Sequence, residues 1–124
     1  MNEVDTAKKI KELTAPILEK GFAFSYFYEK GGDSSCVYIC RFSKGKDFFD
    51  WREVSGADEI HLVAYVNGEY RFPTLKALHP KLFKKFTLKH LLKRPSMDER
   101  RKLTAEILKE KLLEKPDEFF GIKL

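Results

Sequence analysis

The hydrophobic period of the chain changes abruptly at Phe22, and this change constrains the fold more than any other feature. From Phe22 to Glu29, aromatic residues recur at every second position. A period of two is typical of a strand with one buried face, because successive side chains of a strand point to opposite sides of the sheet. Similar segments follow up to residue 72, separated by short turn sequences. Tight turns favour antiparallel neighbours, so the sequence predicts a meander of four or five strands.

Residues that favour turns bound each of the predicted strands. The strands are Phe22–Glu29, Cys36–Phe42, Phe48–Val54, Ile60–Val66 and Glu69–Phe72. The third of them is the least regular, because charged residues interrupt it. Turns are predicted at 31–34, 44–46 and 55–58, and Asn67–Gly68 is the strongest hairpin signal in the chain.

Helical spacing of apolar residues flanks the predicted sheet on both sides. Residues 2–20 form one predicted helix, in which Pro16 is expected to introduce a kink because it lacks a backbone N–H. After Pro73, leucine and phenylalanine recur at roughly helical spacing over 75–92, and a capping box at 96–99 predicts a further helix. The apolar tail, 119–124, is expected to dock on the body. The prediction is a single α+β domain, 1–124, with an N-terminal helix, a four- to five-stranded antiparallel meander and C-terminal helices packed on one face of the sheet.

The length and hydropathy of the chain indicate a cytoplasmic location. With 124 residues the chain matches one domain of ordinary size. Its apolar runs are far shorter than the roughly 18 residues of a membrane span. Its N-terminus lacks the basic start and unbroken apolar stretch of a signal peptide. We therefore expect no membrane partner.

Charge is distributed unevenly along the sequence. Residues 1–72 carry a net charge of −2 and residues 73–124 a net charge of +7. Within 76–102 there are 10 basic residues and 2 acidic ones, and Lys84, Lys85, Arg100 and Arg101 belong to this set. A basic helical surface attracts phosphate backbones, because each neutralised phosphate releases a counterion. Nucleic-acid binding is thus one hypothesis for this region, and a solvated helix face or an acidic protein partner are the alternatives.

One short segment resembles a nucleic-acid-binding motif. Lys20 to Phe27 reads KGFAFSYF, and only Ser25 departs from the strand pattern K/R-G-F/Y-G/A-F-V-x-F/Y. The segment is therefore similar to the RNA-binding strand of RNA-recognition-motif domains, in which alternate aromatic residues stack on unpaired bases. The resemblance implies that Phe22 and Phe24 bind RNA. The alternative is that this aromatic row packs against the N-terminal helix.

Other candidate groups are weaker. Trp51 and Arg52 are an aromatic–arginine pair of the kind found at protein interfaces, although cross-strand packing explains them equally well. The three histidines have no metal-ligand spacing, so neither a metal nor a cofactor is predicted. An acidic cluster near the third strand most simply forms a solvated face; its members are Asp47, Asp50, Glu53, Asp58 and Glu59. The only cysteines, Cys36 and Cys40, are about 13 Å apart on a strand, too far for a disulfide.

The aromatic content is the basis for the leading functional hypothesis. The chain has 11 Phe, 5 Tyr and 1 Trp, more than one small core face needs. We therefore expect a second apolar row on the open face of the sheet, or a groove between the sheet and the helices. The leading hypothesis is a non-enzymatic binding module that acts through contact with a protein partner or through self-association. Nucleic-acid binding through 76–102 is the alternative, and an enzyme with a deep pocket lined by His61 or the acidic cluster is a third.

Overall fold

The computed structural model describes residues 3–30, 36–54 and 59–124. Its architecture is the predicted one: a helical N-terminus, a five-stranded antiparallel sheet and C-terminal helices. The strands follow one another across the sheet in chain order, β1-β2-β3-β4-β5. Each strand is thus hydrogen-bonded to its sequence neighbours, as the short connections predict.

All five predicted strands are confirmed, with small shifts at their ends. They are β1 (Ala23–Lys30), β2 (Cys36–Lys44), β3 (Asp47–Val54), β4 (Glu59–Val66) and β5 (Glu69–Arg71). Asn67 and Gly68 have φ angles of 53° and 81°, the left-handed conformations that a type I′ hairpin turn requires. The turns predicted at 31–34 and 55–58 lie outside the described residues.

The predicted N-terminal helix is divided into two. Helix α1 spans Glu3–Leu13 and helix α2 spans Ala15–Leu18, with Thr14 between them. The break lies two residues before Pro16, where the missing N–H removes a helical hydrogen bond. The hydroxyl and the N–H of Thr14 both donate to the carbonyl of Ile10, at 2.7 and 3.0 Å, so Thr14 is bound to the last turn of α1.

The C-terminal part forms three helices and a small hairpin. The helices are α3 (Leu75–Leu78), α4 (Pro80–Lys89) and α5 (Met97–Glu114). The capping box at the start of α5 is confirmed, because Ser96 and Glu99 exchange the two expected hydrogen bonds. The tail docks as predicted but as a hairpin of β6 (Glu118–Phe119) and β7 (Ile122–Lys123), too short to show a period in the sequence. Among the described helices, none is both long and apolar enough to cross a bilayer.

The core lies between one face of the sheet and the helices. Its largest fully buried side chains from the sheet are Phe42, Phe49 and Trp51, all with no exposed surface. Ile10 and Ile17 contribute from the N-terminal helices, and a further set comes from α5 and the tail. That set consists of Ala105, Leu108, Leu112, Phe119 and Ile122. The sheet and both helical parts therefore share one apolar core.

A buried ion pair crosses this core. The Arg101 guanidinium of α5 donates from Nε and Nη2 to the two carboxylate oxygens of Glu53 on β3, at 2.9 and 2.8 Å. The indole Nε1 of Trp51 donates to the same carboxylate at 3.0 Å. The hydrogen bonds to Glu53 raise the pKa of Arg101. Glu53, a charged residue that interrupts the apolar pattern of β3, thus anchors α5 on the sheet.

Asp50, another acidic residue of β3, is neutralised on the other face of the sheet. Asp50 is fully buried and accepts hydrogen bonds from Arg41 at 2.8 and 2.9 Å and from Arg52 at 3.0 Å. The hydrogen bond to Asp50 raises the pKa of Arg41. Burying a carboxylate is tolerated only with such partners. The irregularity of the third predicted strand therefore reflects two ion-paired carboxylates, one on each face.

The buried thiol of Cys40 belongs to the same part of the core. Cys36 and Cys40 are both free thiols. Burial, followed by the nearby Glu53 carboxylate, raises the pKa of Cys40 to about 12. The thiolate is the nucleophilic form of cysteine, so Cys40 is a packing residue at neutral pH.

We expect Arg101→Met to lower the free energy of unfolding by about 3–5 kcal/mol, because it leaves the Glu53 carboxylate buried without its partner. Lys102→Met is the matched control, since Lys102 is exposed on the same helix. The double variant Glu53→Leu/Arg101→Met is expected to lose less than the sum of its single changes. Urea unfolding followed by circular dichroism measures these three variants, the single variant Glu53→Leu and the wild-type protein. A loss below about 1 kcal/mol for Arg101→Met would contradict the anchoring role.

Candidate functional site

A solvent-open cleft of about 410 Å³ lies between β4 and the C-terminal helices. Its volume is within the range of about 300–1,000 Å³ that is usual for ligand sites. Residues of β4, of the segment after β5 and of the helices line it. They are Glu59, Ile60, His61, Leu62, Val63, Phe72, Pro73, Thr74, Leu75, Lys76, Phe83, Phe86, Arg100, Leu103 and Thr104. This cleft is the groove between sheet and helices that the aromatic content predicted.

The cleft exists because β5 is much shorter than β4. Strand β5 pairs only with Ala64, Tyr65 and Val66 of β4. Pro73 follows, and proline cannot donate to a strand ladder. The chain then turns away into α3, where the Thr74 hydroxyl accepts from the N–H of Ala77. Within the described part of the chain, residues 59–63 of β4 therefore have a strand neighbour on one side only.

The backbone of this edge points into the cleft. Val66 and Glu69 flank the two-residue turn, so their N–H and C=O groups face each other across the hairpin. Because backbone groups alternate in direction along a strand, those of Leu62 and Ile60 point to the same side, beyond the end of β5. All five residues from Glu59 to Val63 line the cleft. A pocket over one sheet face would touch only alternate residues, so the cleft runs along the strand edge.

Apolar side chains form the wall opposite this edge. Leu75 comes from α3, Phe83 and Phe86 from α4, and Leu103 from α5. Helix α4 begins with Pro80 and is capped by His79, whose Nδ1 accepts from the N–H of Leu82. Its phenylalanines face the cleft and its lysines face solvent. The part of the wall that α4 forms is thus the apolar side of an amphipathic helix.

Helix α4 is held weakly. It has no fully buried side chain, whereas α5 has seven buried residues. Two histidines at its ends pair with glutamates of α5: His79 with Glu110, and His90 with Glu99 at 3.2 Å. Both glutamates are about two-fifths exposed, and ion pairs at such sites contribute only about 0–1 kcal/mol each. The wall formed by α4 is therefore the least firmly packed side of the cleft.

Basic groups are available inside and beside the cleft. Arg100 and Lys76 both line it. The Nε atom of Arg100 is buried yet has no hydrogen-bond partner among the described residues. Leaving such a donor unpaired costs about 1–3 kcal/mol. The Arg100 guanidinium as a whole therefore brings to the cleft a positive charge that has no ion-pair partner among the described residues, although its Nε atom is itself shielded from solvent.

An acid–histidine pair stands at the mouth of the cleft. The His61 Nε2 lies 2.9 Å from the Glu59 carboxylate, and the two side chains are 55% and 59% exposed. The third hypothesis, an enzyme, required a deep pocket lined by His61 or the acidic cluster, and the cleft does include His61 and Glu59. Acid–base pairs in catalysis are normally held where water is excluded. This pair stands in solvent instead.

The opposite face of the sheet carries the second apolar row that the sequence predicted. We call it the aromatic ridge; its members are Phe27, Arg41, Phe48, Tyr65, Tyr70 and Phe72. Their contacts join into one chain across all five strands and into the segment after β5. The Arg41 guanidinium lies 5.0 Å from the Phe27 ring and 3.8 Å from the Phe48 ring. Ring contacts continue from Phe48 to Tyr65, from Tyr65 to Tyr70 and from Tyr70 to Phe72.

The aromatic ridge leads into the cleft. Phe72, its last member, is 71% exposed and also lines the cleft. Arg41 and Arg52 stand at the middle of the ridge. Both pair with Asp50, so their charges are largely neutralised within the sheet. The cleft, in contrast, has an unpaired backbone edge, and Arg100 there has no ion-pair partner among the described residues, whereas Arg41 and Arg52 both bind Asp50. We therefore take the cleft as the candidate site.

The structure places the predicted site residues in three different environments. Phe22 is buried against Phe42 and Phe119, and Phe24 packs on the same core. Both rings belong to the same apolar core as the N-terminal helices, Phe22 as a buried member and Phe24 as a partly buried one. The alternative to RNA binding predicted packing of this kind.

The paired residues Trp51 and Arg52 point to opposite faces of the sheet. Trp51 is fully buried in the core, and Arg52 binds Asp50 on the open face. They do not form one anchor at a surface, because neighbouring side chains of a strand alternate between faces. Cross-strand packing, the alternative to an interface anchor, accounts for both residues.

One of the basic residues of 76–102 does not belong to a basic surface. Arg101 is buried and bound to Glu53, so it is committed to the core. Its neighbour Arg100 lines the cleft, and Lys84 and Lys85 are exposed on α4. The free edge of β4 and the wall residues Leu75, Phe83 and Phe86 were not predicted as site residues. Their only signal in the sequence was the early Pro73, which ends the fifth strand after three residues.

No metal site or family assignment adds to this geometry. Within the described ranges, no three His, Cys, Asp or Glu side chains are grouped so as to hold a metal ion. Comparison of the chain with protein families, with curated proteins and with solved structures found no match. The cleft itself is therefore the basis for assigning a function.

Hydrogen exchange is expected to show that α4 opens before α5. Amides of α4 should exchange well ahead of those of α5, since local opening exposes little apolar surface. Glu110→Gln weakens the pair with His79 and should accelerate α4 exchange about two- to fivefold. Glu106→Gln, at an exposed position of the same helix, is the control. Equal protection of α4 and α5 would show that the wall of the cleft is rigid.

Proposed function

We propose that this protein is a small non-enzymatic binding module that holds a segment of a partner protein in the cleft between β4 and the helices. One observation carries the proposal: an apolar cleft runs along a strand edge whose backbone groups have no partner among the described residues. Open strand edges bind extended segments through main-chain hydrogen bonds, and adjacent pockets select their side chains. The cleft combines both elements.

The lining of the cleft supports binding over catalysis. Apolar side chains dominate the wall, namely Leu75, Phe83, Phe86 and Leu103. The only paired acid and base at the cleft among the described residues, Glu59 and His61, are more than half exposed. An apolar wall with a few polar groups is typical of a recognition site.

The location and partner class follow from the same proposal. Both cysteines are free thiols, and this supports a reducing compartment such as the cytoplasm. A partner protein is the primary occupant that we propose. Self-association through the cleft is the alternative, in which a second copy supplies the segment.

A peptide selection tests this function. Random linear peptides displayed on phage are panned against the wild-type protein and against Ile60→Trp, which places a bulkier side chain in the cleft. We expect enrichment on the wild-type protein and at least a tenfold loss of affinity with Ile60→Trp. Tyr28→Trp is the control, because Tyr28 is exposed on β1 at the far edge of the sheet. Circular dichroism verifies that all three fold alike.

Two outcomes of this selection would contradict the proposal. One is the absence of any enriched peptide. The other is a set of peptides that bind Ile60→Trp and Tyr28→Trp as tightly as they bind the wild-type protein. Sedimentation of the unliganded protein separates the alternative, since a dimer that Ile60→Trp disrupts would identify a second copy as the occupant.

Nucleic-acid binding by 76–102 remains a second candidate. It is supported by the exposed lysines of α4, which include Lys84 and Lys85. Arg101 contributes nothing to it, because that guanidinium is bound to Glu53.

Oligonucleotide titrations decide this second candidate. If it holds, single- or double-stranded DNA binds at low salt, and Lys84→Gln/Lys85→Gln reduces the slope of log K against log salt by about 2. Lys109→Gln/Lys111→Gln, on α5, is the control for the loss of two charges. An absence of binding at low salt would eliminate this candidate, because the electrostatic contribution is largest there.

A further inference from the structure

We infer, on the basis of the proposed function, that the occupant is an extended segment which adds to β4 as a sixth strand and places a carboxylate against Arg100. The proposal specifies both the binding mode and the chemistry of the partner. It rests on three separate features of the cleft: the direction of the β4 backbone, the apolar wall and the unpaired charge of Arg100.

The free edge has the length and direction for strand addition. Five residues, Glu59 to Val63, extend about 16 Å along the strand. Ile60 and Leu62 each present one N–H and one C=O away from β3, so an added strand can form about four backbone hydrogen bonds. The backbone groups of His61 face β3, where Arg52 is its neighbour. An occupant of about five residues therefore pairs with this edge.

The apolar wall selects what the segment carries. Because side chains of a strand alternate, every second residue of an added strand faces the helices. There it meets Leu75 of α3 and Phe83 and Phe86 of α4. Those positions of the segment are therefore apolar. The wall can adapt to their size, since α4 has no fully buried side chain of its own.

The charges of the cleft select an acidic group. Its charged lining residues are Glu59, Lys76 and Arg100; Glu59 is paired with His61, whereas the Arg100 side chain has no partner within the described part of the chain. A carboxylate beside the Arg100 guanidinium neutralises it, and hydrogen bonds between charged groups are the strong ones. An aspartate or glutamate side chain or a C-terminal carboxylate supplies it. The partner is thus an extended segment that is apolar at alternate positions and carries one carboxylate.

Backbone N-methylation tests strand addition. Peptides recovered from the phage selection are synthesised with one N-methyl group at a time, and their dissociation constants are measured by fluorescence polarisation. We expect a period of two: methylation at residues whose N–H faces β4 weakens binding about tenfold or more, and methylation between them has little effect. Exchange of the Ile60 and Leu62 amides should slow in the complex. Exchange of the His61 amide, already directed at β3, should change least.

The role of Arg100 is tested with matched changes on both partners. Arg100→Gln should weaken the acidic peptide about tenfold or more, and the same peptide with its carboxylate replaced by an amide should bind both proteins equally. Lys102→Gln is the control, because Lys102 is exposed on the same helix. Arg100→Lys should restore part of the affinity.

The possible failures are distinguishable. If no peptide is enriched, the proposed function and this inference fail together. If Ile60→Trp weakens the peptides but N-methylation does not act at every second residue, strand addition is overturned and the binding function stands. If the selected peptides lack an acidic residue or ignore Arg100→Gln, the carboxylate is overturned. If the protein is a dimer that Ile60→Trp dissociates, the occupant is a second copy and not a partner protein. If oligonucleotides compete with the peptides for the cleft, the occupant is a nucleic acid.

Discussion

The bidentate ion pair between Arg101 and Glu53 is the interaction on which the rest of the structure depends. It joins the longest helix to the central strand of the sheet, and Trp51 adds a third hydrogen bond to the same carboxylate. Geometry of this kind fixes the rotation of α5 about its axis, because a guanidinium and a carboxylate meet in one plane. With Arg101 directed at the sheet, the next residue back, Arg100, is directed at the cleft. The Arg101–Glu53 pair therefore determines where the Arg100 guanidinium stands.

The shape of the cleft follows from a mismatch of lengths within the sheet. Strand β4 has eight residues and β5 has three, so the outer part of β4 has no neighbour within the described chain. In most sheets such an edge is protected by charge, by a bulge or by a covering element. Here α3 and α4 stand beside the edge at a distance that leaves about 410 Å³ open. The helices thus cover the edge only in part and leave the cleft open to solvent.

Much of the fold could be predicted from the sequence, and the site could not. Alternating aromatics, the Asn67–Gly68 turn and the Ser96–Glu99 capping box are local patterns, and each produced the predicted element. The face that each residue occupies depends on tertiary packing. For this reason Phe22 and Arg101, both candidates by pattern, belong to the core. The site depends on where β5 stops relative to β4 and on how α4 lies beside them, and neither is encoded in a short stretch of residues.

The free edge of β4 also bears on the behaviour of the protein at high concentration. An unpaired strand edge can join the same edge of another molecule, and repeated joining leads to aggregates. This edge is short, its outer end carries Glu59, and α4 stands over it with lysines turned outward. Two copies approaching edge to edge would bring the lysines of their α4 helices together, and these like charges repel. The lysine-rich outer face of α4 therefore disfavours edge-to-edge association of two folded copies of the protein.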